Sequence, residues 1–83
     1  MTRPKIRHIA IAVDDPFETA DFYMNAFDMH KVGETDSPLA RGVYVSDGYI
    51  CLAILNFKND RWAGANSQAY RGIHHMGFDV ESL

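Results

Sequence analysis

Two histidines sit at matching places in a segment that occurs twice. Residues 8–13 read His-Ile-Ala-Ile-Ala-Val and lead into Asp14, Asp15 and Pro16. Residues 75–80 read His-Met-Gly-Phe-Asp-Val and lead into Glu81, Ser82 and Leu83. In each copy a histidine opens a strand-like run in which small or polar residues alternate with apolar ones, and an acidic helix-start signal follows. An imidazole can carry a proton or hold a divalent metal near neutral pH, or simply hydrogen-bond to backbone at a strand edge. His74 and His30 break the matching and read as surface or half-buried residues. Cys51 could hold a soft metal, although a lone buried thiol more often fills a small space in a core. Lys58, Arg61 and Trp62 form a loop cluster of two cations and an indole. Such a loop either closes over an anionic ligand or is a solvated linker.

The elements that position these residues follow from alternation and capping. Ile6 to Val13 reads as a buried strand, with Ile9, Ile11 and Val13 on one face and His8, Ala10 and Ala12 on the other. Asp15 is a helix cap, Pro16 suits the first helical position, and Glu18 stands where a capping box places its acid. Phe17, Ala20, Tyr23, Met24 and Phe27 then recur at helical spacing, and the helix ends near Asp28. Strands are expected at Met29 to Glu34, Ala40 to Val45 and Tyr49 to Leu55, with a turn-rich loop at Thr35 to Pro38 and a tight turn at Ser46 to Gly48. Residues 56–72 read as a polar, irregular connection, and Ile73 to Val80 as the last strand. The expected fold is α+β, in βαβββ order, with one helix packed on a curved mixed sheet. Residues 1–72 are expected to form the first module with its connecting loop, and residues 73–83 the first strand of an incomplete second one.

Eighty-three residues with 47% hydrophobic content form one small packed domain. A net charge of -3 without a basic patch argues against nucleic-acid binding. No run approaches the roughly 20 apolar residues of a membrane span, and no secretory core is visible. Cys51 is the single cysteine and has no internal disulfide partner, which fits a reducing cytoplasm. A short chain with an open sheet edge is expected to pair as a homodimer.

The element order, the first repeat, the helix from Phe17 to Tyr23 and the run Gly72 to Phe78 together resemble the vicinal oxygen chelate superfamily. That group includes glyoxalase I, methylmalonyl-CoA epimerase, extradiol dioxygenases and the bleomycin-resistance proteins. The resemblance implies paired βαβββ modules around a cup. It also implies, in metal-dependent members, a divalent metal held by the first and fourth strands of each module. His8 and His75 match the two first-strand ligands, with zinc, nickel, manganese or iron as the candidate metal. His74 has the opposite parity and is expected to face the helix side or solvent. Along the fourth strand Tyr49, Cys51, Ala53 and Leu55 are expected to face the cup, where the family usually offers Glu or Gln. Cys51, Ala53, Arg61 and Trp62 are the candidate substrate-binding residues. Two functions stay open. One is a glyoxalase-type metal-dependent lyase or isomerase, or a dioxygenase-like protein, acting on a small oxygenated substrate. The other is a metal-free, ligand-sequestering protein of the bleomycin-resistance type, or an inactive truncated module.

Overall fold

The computed structural model describes residues 3–63 and 68–80, apart from the side chain of Trp62. Strand β1 runs from Lys5 to Ala12, helix α1 from Pro16 to Phe27, and β2 from His30 to Asp36. Strand β3 covers Ala40–Ser46, β4 Cys51–Phe57, the short helix α2 Asp60–Ala63, and β5 Gly72–Asp79. The strands form one mixed sheet in the order β2-β3-β4-β1-β5. Strand β1 pairs parallel with β4 and antiparallel with β5. The expected α+β arrangement is present, with one long helix on one face of the sheet.

The two faces of the sheet differ because the strands alternate small residues against branched ones. On the helix side Val43, Val45 and Ile54 pack with Ala20, and with partly buried Ile11, Val13, Tyr23, Met24 and Leu52. On the other side Ala10, Ala12, Ala53, Leu55 and Phe57 form a second cluster with Ala40 and Ala63. Gly42 is required in that second layer. A Cβ there would sit 2.5 Å from the Ile54 carbonyl oxygen and 2.6 Å from a Leu55 methyl.

Helix α1 begins where Asp15 Oδ1 accepts hydrogen bonds from the Phe17 and Glu18 amides at 3.1 and 3.3 Å. It ends at Asp28, whose φ of 55° is left-handed. The helix packs against β2, β3 and β4. Ala20 makes the tight contact, whereas Phe17 and Phe27 are 45% and 63% exposed and do not join the core stripe expected of them. Strand β5 lies beyond the strands on which the helix mainly packs. Ile73, Met76 and Phe78 are accordingly more than half exposed among the described residues.

Strand β4 starts two residues later than expected. Asp47 Oδ1 accepts from the amides of both Tyr49 and Ile50 at 2.8 Å, which holds them in the turn. Those two bonds also hold the Asp47 carboxyl below the usual aspartate range. The connection after β4 is likewise less irregular than its composition suggests. Lys58 pairs with Asp36 at 2.6 Å, and the short helix α2 follows. Arg71 then bonds Asp14 at 2.7 Å and donates to the Gln68 and Tyr70 carbonyls. These bonds bring β5 in alongside β1. No helix among the described residues is long and apolar enough to cross a membrane.

Replacing Ile54 by Ala removes the largest fully buried side chain among the described residues and is expected to cost about 2–5 kcal/mol. Gly42→Ala is expected to destabilise the chain as well, because backbone blocks the added methyl. Urea unfolding of the two variants measures both effects.

Candidate functional site

Sheet register decides which side chains meet. His8 lies opposite Gly77 and beside Cys51, while Ala10 lies opposite His75. His8 and His75 are therefore diagonal neighbours on adjacent strands and share a face. Gly77 presents no side chain against the His8 ring. The two Nε2 atoms are 3.2 Å apart, and the rings stack at 5.1 Å with 19° between their planes.

This face carries an open cavity of about 540 Å³. His8, His74 and His75 line it together with Ala53, Leu55, Phe57, Tyr44, Leu39, Ala40, Thr35 and Ser37. The walls are mostly apolar, and no carboxylate lines them among the described residues. The cavity is open and His75 is exposed, so water reaches the histidine pair.

His74 corrects the parity reading. It lines the cavity instead of facing the helix side or solvent. The cause is a bulge in β5. Ala10 pairs with His75 and Ile11 pairs with Ile73, so His74 is the extra residue. A bulge breaks strict alternation and turns two successive side chains toward one face. The His74 ring lies 4.6 Å from the Phe57 ring. Its Nδ1 is 2.8 Å from His75 Nδ1, and its Nε2 is 2.7 Å from the Ala63 carbonyl oxygen.

Of the other candidates, Ala53 lines the cavity. Cys51 is on the His8 face by register but outside the cavity lining, and partial burial raises its thiol pKa. A raised pKa disfavours the thiolate that would bind metal or attack a substrate. Arg61 is exposed on α2 and also lies outside the lining. The side chain of Trp62 falls outside the described residues. Tyr44 and Phe57 line the cavity although neither is among the expected site residues. Alternation from Ala40 reaches Tyr44, and alternation from Ala53 reaches Phe57 once β4 is allowed its full length.

The model of the Glyoxalase/Bleomycin resistance protein/Dioxygenase superfamily matches residues 5–83. The chain belongs to this superfamily. Two solved structures share the fold. A hypothetical protein from Bacillus halodurans C-125 is 24% identical, with a TM-score of 0.77, over 98% of this chain and 62% of that one. Methylmalonyl-CoA epimerase from Streptomyces coelicolor, a glutamine-to-alanine variant in complex with 2-nitronate-propionyl-CoA, is 22% identical. Its TM-score is 0.64, over 93% of this chain and 64% of the epimerase. The chain thus spans less than two thirds of either structure. No curated protein matches the sequence.

Members of the superfamily usually bind divalent metals, so the donor set can be tested for fit. Two nitrogens, each about 2.0–2.1 Å from a tetrahedral zinc, lie roughly 3.3–3.4 Å apart. The 3.2 Å between the two Nε2 atoms fits neighbouring ligands of one ion. Among the described residues no group of three or more His, Cys, Asp and Glu side chains is arranged to hold a metal. The histidine pair has the spacing of two ligands and is one short of the three protein ligands usual in a catalytic zinc site.

Partial desolvation lowers the His75 pKa below 6.5, and the charges of His8 and then His74 lower it further. The folded chain binds a proton at His75 less readily than the unfolded chain does. This contribution to stability is full above pH 6.5 and declines as pH falls through the lowered folded value. With chelator present, the NMR titration midpoint of His75 is expected below 6.5, and His8→Ala is expected to move it upward.

Proposed function

We propose that this chain binds a small oxygenated molecule in the cup, with His8 and His75 as two ligands of a divalent metal, in a glyoxalase-type lyase or isomerase. The observation that carries the reading is the 3.2 Å approach of the two Nε2 atoms at the wall of an apolar cavity. Such an ion would polarise a substrate oxygen and stabilise negative charge developing on it. His8 and His75 would hold it from adjacent strands. Tyr44, Leu55 and Phe57 would pack the carbon part of the ligand. The lowered pKa of His75 favours the neutral ring that ligation needs.

A second reading is favoured by β4. Its cup-side residues are Cys51, Ala53, Leu55 and Phe57, with no acid among them. A metal-free, ligand-sequestering cup of the bleomycin-resistance type needs only the apolar walls. In either case the outer edge of β5, which no other described strand pairs, with exposed Ile73 and Phe78 on that strand, supports association of two copies. Light scattering at micromolar concentration is expected to report a dimer, and a stable monomer there would count against the pairing.

Titration with zinc or cobalt separates the two readings. The metal reading expects saturable binding that His8→Ala or His75→Ala weakens by about 100-fold or more, since a pair cannot spare a ligand. Equal binding by the double variant would overturn it. The sequestering reading expects a flat apolar ligand to bind equally well with and without chelator.

A further inference from the structure

We infer that His74 is a positioning residue that fixes the tautomer of His75, so that His75 presents a bare Nε2 to the cup. The inference rests on the reading of His75 as a donor atom in that site. Its basis is a chain of ring contacts that begins at a backbone carbonyl.

A carbonyl oxygen only accepts, so His74 Nε2, 2.7 Å from the Ala63 oxygen, must carry a proton. With His74 neutral, its Nδ1 is then an acceptor. His75 Nδ1, 2.8 Å away, must donate to it. Neutral His75 is thereby held as the Nδ1–H form, and its Nε2 keeps a free lone pair. That lone pair accepts from His8 Nε2 at 3.2 Å. One carbonyl sets the proton positions on three rings in succession.

The bulge in β5 makes this possible. Without the extra residue, His74 would face away from His75. The Phe57 ring, 4.6 Å away, supports the His74 imidazole in its place. A ligating histidine ordinarily passes its other N–H to a carboxylate, carbonyl or water, which orients the ring and raises its basicity. Here a neighbouring imidazole takes that place, itself fastened to Ala63. The two members of the pair are consequently unequal. Ligation by both Nε2 atoms asks His8 to carry its proton on Nδ1 and asks nothing of His75.

Long-range 1H–15N spectra of the labelled full chain test this directly, with chelator present and at mildly alkaline pH. His75 is expected in the Nδ1–H form and His74 in the Nε2–H form. His74→Phe keeps a ring against Phe57 but removes both nitrogens, and should raise the Nε2–H population of His75. His74→Asn keeps an acceptor near the Nδ1 position and should restore the Nδ1–H form. Zinc affinity should fall about 10–100-fold in the Phe variant and recover in the Asn variant. Should the Phe variant not fold, the wild-type and Asn spectra still decide. A wild-type His75 in the Nε2–H form, or a folded Phe variant with an unchanged His75 tautomer, would overturn the inference. If zinc does not bind the wild type while the tautomers are as stated, the metal reading fails and the positioning by His74 stands.

Discussion

The antiparallel ladder between β1 and β5 is the constraint on which the site depends. It joins residues 67 positions apart in the chain, His8 and His75, on neighbouring strands of one sheet. Closing so long a loop is entropically unfavourable, and the cost rises slowly with loop length. Backbone hydrogen bonds of the ladder and local ties at its approach offset that cost. Arg71 clips the segment before β5 to Asp14 just past β1, and Tyr70 donates to the Ile73 carbonyl. These exposed ties contribute little individually. They act where the ladder begins, so they help set the register that brings the imidazoles together.

Strand β1 also divides the molecule into two chemistries. Its parallel pairing with β4 aligns Ala10 with Ala53 and Ile11 with Ile54. Small residues thus accumulate on one face and branched ones on the other. The branched face is sealed by α1 over β2 to β4. The small-residue face meets the short helix α2 through Ala63 and carries no long helix among the described residues, which leaves space for the cavity. Stability and ligand space come from the same alternation, because large side chains on both faces would leave no cup.

Superfamily membership sets the frame for function, and the particular residues narrow it. The cup-side residues of β4 contain no acid, so the site's polarity is concentrated in His8, His75 and His74. The lowered His75 pKa keeps that ring neutral over more of the pH range, as the proposed metal role requires. Histidine nitrogen suits borderline metals such as zinc or nickel better than hard, oxygen-seeking ones.

The sequence alone determined the βαβββ order, the helix cap at Asp15, the split of β1 and β4 into two faces, and the shared face of His8 and His75. Each is a local or periodic property, fixed by side-chain alternation or by one side chain meeting nearby amides. Tertiary structure decided the rest. Phe17 and Phe27 have helical spacing, yet where the helix lies over the sheet leaves them exposed. The start of β4 depended on Asp47 capturing two amides, and its full length brought Phe57 into the cavity. His74 went to the cup because β5 needs a bulge to stay in register with β1. Register belongs to a pair of strands, not to either one, so period-two counting along β5 could not reveal it.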